Sequence, residues 1–137
     1  MKIAIVYATT TGNTESMAEA MKDALAGNDV YYSTADSADA ATVLSSDVIL
    51  LGSPAMGDEV LEDSAEAFFC KIEGSLSSKK VALFGSYDWG DGKWLADWED
   101  RVKSCGAVIA ADALKVHLTP EDADITKCKD FAAAATK

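Results

Sequence analysis

The sequence predicts an α/β protein: a parallel sheet with helices packed on both faces. Three observations carry that expectation. Short apolar runs recur along the chain, several of them nearly continuous, as strands buried on both faces require. Segments whose apolar residues fall at helical spacing stand between them. Glycines close most of those segments, where a left-handed residue commonly ends a helix. Strand alternating with helix about five times implies parallel strands joined by right-handed crossovers.

The elements follow in order. Ile3 to Ala8 is the first strand. Met17, Ala18, Met21, Ala24 and Leu25 mark a helix that Gly27 ends. Val30 to Ser33 is short and flanked by polar residues, so it is expected at a sheet edge. Val48 to Gly52 and Val81 to Gly85 are central strands by their continuous hydrophobicity. Helices are expected from Asp63 to Ile72, before Gly74, and from Trp94 to Cys105, before Gly106. Ala107 to Val116 is the last strand. The tail after Pro120, through Ile125, Cys128, Phe131 and the alanine run, is a closing helix. No repeat, linker or low-complexity stretch interrupts the pattern, and 137 residues suit one domain with one core.

Composition limits the partners. Hydrophobic residues make up 49% of the chain and it has only two prolines, which indicates a folded protein. The net charge of −11 disfavours nucleic acid and anionic membrane and favours a basic protein surface, while also serving solubility. Cys70, Cys105 and Cys128 are widely spaced with no CxxC pair. That argues for reduced thiols in a cytoplasm, and against a disulfide framework or metal site. The apolar run after Met1-Lys2 is too short for a signal-peptide core, and no run is long enough to cross a bilayer. A soluble cytoplasmic protein is expected.

In open parallel sheets ligands sit beyond the carboxyl ends of the strands, where the strand order reverses. Three loops therefore matter: Thr9–Thr14, Ser53–Asp63 and Ser86–Lys93. The first offers hydroxyls from Thr9, Thr10, Thr11 and Thr14, the Asn13 amide, and backbone N–H groups around Gly12 at a helix start. It lacks both the P-loop spacing and GxGxxG, and no Lys or Arg occurs until Lys22. By composition it serves equally as a helix cap or an anion site. The second loop includes Pro54, Ala55, Met56, Gly57, Asp58 and Glu59. Its Gly57 permits unusual backbone angles, although an ordinary acidic turn would read the same way. The third contains Ser86, Tyr87, Asp88, Trp89, Gly90 and Asp91. A Trp in a Gly-rich loop after a central strand suits stacking on a flat ligand or a partner, whereas Trp94 and Trp98 are packing residues of the next helix. A phosphate grip, an acidic glycine turn and an aromatic plate together fit a phosphorylated flat ligand.

With those residues in view, the chain resembles the flavodoxins over its whole length, specifically the short-chain kind of anaerobic bacteria. Thr9-x-Thr11-Gly12-Asn13-Thr14 resembles the family's phosphate loop. Ala55-Met56-Gly57-Asp58-Glu59 resembles its flavin-switch loop, and Gly85-Ser86-Tyr87-x-Trp89-Gly90-Asp91-Gly92-Lys93-Trp94 its stacking loop. The length and an uninterrupted last strand point to the short-chain group. The resemblance implies a three-layer sandwich over residues 1–137, with a five-stranded parallel sheet in the order 2-1-3-4-5 and FMN at the reversal point; flavodoxin is itself a standard instance of that rule. It implies that Thr9, Thr11, Asn13, Thr14 and amides near Gly12 hold the phosphate, with Thr10 contributing backbone. It further implies that Met56 packs on the inner face of the ring, Trp89 stacks on the outer face and Glu59 accepts from N3–H. The Gly57 peptide would turn its carbonyl toward N5–H on one-electron reduction, and amides near Asp88, Trp89 and Gly90 would face N1 and O2.

The implied function is a low-potential one-electron carrier, not an enzyme, moving between the semiquinone and hydroquinone of non-covalently bound FMN. Partners would be basic surfaces of oxidoreductases that otherwise use ferredoxin, met by a monomer. Acidic residues at positions 58, 59, 62, 63, 88 and 91 would repel the last electron. Three positions depart from the pattern: Asp88 stands where Gly is usual, and Pro54 and Ala8 differ from some relatives. His117, the only histidine, either approaches the cofactor or simply ends the last strand. Two rival readings fit less well. An FMN-dependent NAD(P)H:quinone reductase of the same fold usually needs cationic residues beside the flavin. A phospho-receiver domain needs paired acids after the first strand, where this chain has Ala8-Thr9-Thr10.

Overall fold

The continuous apolar runs become the middle of the sheet. In the computed structural model, which describes residues 1–137, β1 (Lys2–Tyr7), β3 (Val48–Gly52) and β6 (Lys80–Tyr87) are adjacent and parallel. Alternate side chains leave their two faces and bury two separate cores. Ala4, Val6, Ile49, Leu51, Val81 and Leu83 go to one side, and Ile3, Ile5, Tyr7, Val48, Leu50, Ala82 and Phe84 to the other. Helix α1 (Asn13–Ala24) and α5 (Asp122–Ala135) cover the second core through Met17, Met21, Cys128 and Phe131. Helix α3 (Asp63–Ile72) and α4 (Lys93–Ser104) cover the first through Phe68, Phe69, Trp94 and Trp98. Trp94 and Trp98 are thus packing residues, as the sequence predicts.

Strand β2 (Asp29–Thr34) pairs only with β1 and is half-exposed, as expected of an edge. The order β2-β1-β3-β6, with the last strand position beyond β6, is the 2-1-3-4-5 arrangement once an excursion after β3 is set aside. That excursion is a hairpin of β4 (Ala55–Met56) and β5 (Val60–Leu61). The acidic glycine turn that the sequence reading expects is thus flanked by two short paired strands, which it does not expect.

Two further findings differ from the sequence reading. The expected single strand from Ala107 to Val116 is two pieces, β7 (Val108–Ile109) and β8 (Leu114–His117), both on β6. Val81 pairs with Ile109 and Phe84 with Leu114, so this chain carries two more residues than its partner between those pairs. The extra residues bulge out and break the ladder. The second is a helix the periodicity misses, α2 (Ala40–Leu44), capped by Asp39, whose Oδ2 accepts the Thr42 N–H at 3.1 Å. Five residues with one buried apolar side chain, Val43, carry too little period to read.

No helix is long and apolar enough to cross a membrane, and no three His, Cys, Asp or Glu side chains gather as a metal-binding set.

Candidate cofactor-binding site

The chain leaves β1 through Ala8, whose N–H continues the ladder to Gly52 O at 2.9 Å, and then turns outward. Thr9 Oγ1 accepts the Gly12 N–H at 3.0 Å, which closes the loop on itself. Gly12 caps α1 at φ 91°, a left-handed conformation that costs little only at glycine. No side chain bonds to the N–H groups of Asn13, Thr14 or Glu15, so those of the first turn remain donors. The one acid of that turn, Glu15, is drawn aside: the Tyr7 hydroxyl donates to its Oε2 at 3.1 Å. Burial pushes the Tyr7 phenol above its ordinary value, which keeps it a donor. Thr14 is fully buried, and its hydroxyl shares a 2.9 Å hydrogen bond with that of Ser86, joining the first loop to the third.

The second loop is built on Ser53, which is also fully buried. Its hydroxyl donates to Pro54 O at 2.9 Å and accepts the Glu62 N–H at 3.0 Å, pinning both ends of the hairpin. Ala55 pairs with Leu61 and Met56 with Val60, so Met56 has a strand position that the sequence did not reveal. Gly57 has φ 47° and Glu59 φ 56°, the latter unusual for a residue with a side chain. What holds Glu59 there is visible: its Oε1 accepts the Gly92 N–H at 3.0 Å and the Lys93 N–H at 2.7 Å. The hairpin tip is therefore tied to the start of α4. Glu62 caps α3, its Oε2 accepting from the Ser64 N–H at 3.0 Å.

In the third loop Trp89 is 67% exposed, the most exposed large apolar side chain of the fold. Exposure on that scale leaves about half or more of a large ring in water, where stacking on a flat ligand would recover the burial. Asp88 and Asp91 are exposed on either side. Their carbonyls are engaged, with His117 Nε2 at 3.0 Å from Asp88 O and Lys115 Nζ at 2.6 Å from Asp91 O.

All three loops border one cleft of about 210 Å³, lined by Thr10, Thr11, Asn13, Pro54, Ala55, Ser86, Tyr87, Asp88 and Leu118. Met56 to Glu59 and Trp89 to Asp91 are outside that lining and meet each other through Glu59. Leu118 was missed from sequence. It follows β8 with φ 61°, at the same sheet edge as the other loops, so the rule that picked three loops could have picked this fourth.

The residues fit FMN. The open start of α1 supplies N–H donors and a dipole for a phosphate, and the cleft beside it leads past Asp88 to the exposed Trp89.

The comparisons with known proteins agree. A family model described as flavodoxin matches residues 5–131. The chain is 45% identical over 130 residues to the flavodoxin of Clostridium beijerinckii, covering 93% of this chain and 94% of that one. It is 44% identical to the flavodoxin of Megasphaera elsdenii, with 98% of each chain covered. The crystal structure of oxidised flavodoxin 1 from Bacillus cereus superposes with a TM-score of 0.89 at 31% identity, covering 99% of this chain and 97% of that one. The sheet order, the cleft at its reversal point and these relatives lead to one conclusion: the chain belongs to the flavodoxin family of FMN-binding electron-transfer proteins.

Proposed function

We propose that this chain is a cytoplasmic, monomeric, low-potential one-electron carrier that meets basic redox enzymes through the acidic rim of its cofactor site. The observation that carries the reading is the unequal charge of the two ends of that site. At the α1 end no carboxylate caps the helix, and Glu15 is held away. At the Trp89 end, Asp58, Asp88 and Asp91 are exposed, with Glu59 half-buried between them.

FMN, when bound, supplies the chemistry of accepting and releasing single electrons. The residues supply binding, orientation and field. N–H groups of Asn13, Thr14 and Glu15 are the donors available to the phosphate, with Thr10, Thr11 and Asn13 lining the adjoining wall. Thr14 and Ser86 act here through their mutual hydrogen bond, which fixes the spacing of the two loops. Trp89 is placed to stack on a flat ring and shield it from water. Met56, on the hairpin, is the residue for the opposite face. The hairpin tip combines a glycine that can flip with a neighbour, Glu59, clamped to α4, so a change at the Gly57 peptide is local. Acidic side chains at this end disfavour added negative charge on the ring, which lowers the potential of the last electron.

Reconstitution with FMN followed by potentiometric titration tests the proposal. Two separated one-electron steps, the second at low potential, with no oxidation of NADH or NADPH by the protein alone, are the expected result. Rapid turnover of NAD(P)H with a quinone would overturn it. Docking through the acidic rim predicts that electron transfer from a basic ferredoxin-linked reductase slows as ionic strength rises.

A further inference from the structure

Strand β8 places Lys115 and His117 two residues apart, hence on the same face of the sheet. They pair across to Gly85 and Tyr87, at the point where β6 enters the Trp89 loop. Each side chain reaches over that loop to a different carbonyl. Lys115 Nζ donates to Asp91 O at 2.6 Å, and His117 Nε2 lies 3.0 Å from Asp88 O. A carbonyl can only accept, so Nε2 is the protonated nitrogen of the imidazole. The Tyr87 ring packs between them, its centroid 4.9 Å from that of His117 and 5.9 Å from Lys115 Nζ.

A trans peptide sends the next N–H in the direction opposite to its carbonyl. At the Asp91–Gly92 peptide both sides are accounted for: the carbonyl accepts from Lys115, and the Gly92 N–H goes to Glu59. At the Asp88–Trp89 peptide only one side is held. The carbonyl faces His117, and the Trp89 N–H has no partner within the chain. We propose that Lys115 and His117 are positioning residues that clamp the two shoulders of the stacking loop, and that His117 thereby presents the Trp89 N–H to an acceptor on the flavin ring. This rests on the FMN reading of the cleft. The clamp also places the cation of Lys115 within an otherwise acidic loop, where it offsets part of the field of Asp88 and Asp91.

The test uses the full chain with His117→Ala, His117→Gln and Lys115→Met. All three substitutions are at exposed positions, and thermal melts of the apoproteins check that folding is kept. In the FMN-bound protein, where the flavin would accept from the Trp89 N–H, hydrogen exchange of that amide is expected to accelerate in His117→Ala and to stay slow in His117→Gln, whose amide can still donate to Asp88 O. FMN binding is expected to weaken about tenfold in His117→Ala, the scale of one lost hydrogen bond, with recovery in His117→Gln. The potential of the second one-electron step should become more negative in His117→Ala and in Lys115→Met. Variants that bind FMN and titrate like the unmodified protein would overturn the clamp while leaving the cofactor assignment intact. Failure of the unmodified protein to bind FMN would overturn the assignment, and the clamp with it.

Discussion

Helices α1 and α4 leave the carboxyl edge of the sheet in the same way, each through a glycine in the left-handed region, Gly12 at φ 91° and Gly92 at φ 102°. Neither glycine can cap its helix with a side chain. From there the two starts diverge. At α4 a carboxylate from 33 residues earlier, Glu59, accepts the Gly92 and Lys93 N–H groups. At α1 the Gly12 N–H goes to the neutral hydroxyl of Thr9, no carboxylate reaches the helix start, and the acid nearest in sequence is bonded to Tyr7. The same backbone device is thus closed internally in one place and left for an external anion in the other. A phosphate loop without a lysine makes sense in these terms. A cation helps where a phosphoryl group is transferred, whereas permanent binding needs only N–H groups, hydroxyls and a dipole.

The contrast can be broken by closing the open helix start. Asn13→Asp puts a carboxylate in the first turn of α1 with almost no change of shape. FMN affinity measured by fluorescence quenching should fall on the order of 100-fold, because the new charge opposes the phosphate across a few ångströms. The apoprotein should move the other way, gaining roughly 0.3–1 kcal/mol in denaturant melts, since an acid suits a helix start. Equal binding by the variant would mean the phosphate sits elsewhere.

The converse change opens the closed start. Glu59→Ala leaves two N–H groups of α4 without their acceptor and frees a residue at φ 56°. A loss of about 1–2 kcal/mol is expected in apoprotein unfolding, and Glu59→Gln, which keeps an acceptor, should lose less. If both variants match the unmodified protein, the hairpin tip is not held by α4.

An ion pair away from both starts should matter least. Arg101 donates from both terminal nitrogens to Glu66 at 2.7 Å, and both side chains are more than a third exposed. The Arg101 guanidinium holds Glu66 below the usual carboxylate range. Its contribution is therefore present above that range and is lost as the pH falls through the lowered value. Arg101→Met should flatten this part of the acid unfolding curve by less than about 1 kcal/mol, given the solvent screening.

What was legible in the sequence is what has a local signature. Strands β1, β3 and β6 are nearly continuous in apolar residues, the helix ends carry glycines, and the three loops follow the central strands in order. The broken last strand was not legible, because Ala107 to Ala111 and Ala113 to Val116 are apolar apart from Lys115, and only the pairing with β6 shows that two residues are extra. Nor could sequence show that Glu59 caps a helix 33 residues away or that Thr14 meets Ser86 across 72 residues. Both depend on loops brought together by the sheet order. The grip of His117 and Lys115 on the Trp89 loop is of the same kind, which is why the sequence alone favours reading the lone histidine as a strand end.

The most direct measurement is a calorimetric comparison of FMN and riboflavin binding to the apoprotein, since the two differ only in the phosphate. The open start of α1 predicts that FMN binds at least about 100-fold more tightly, the scale of two or three charge-assisted hydrogen bonds. It also predicts that Asn13→Asp removes most of that difference while leaving riboflavin binding unchanged. Equal affinities for FMN and riboflavin in the unmodified protein would contradict the account.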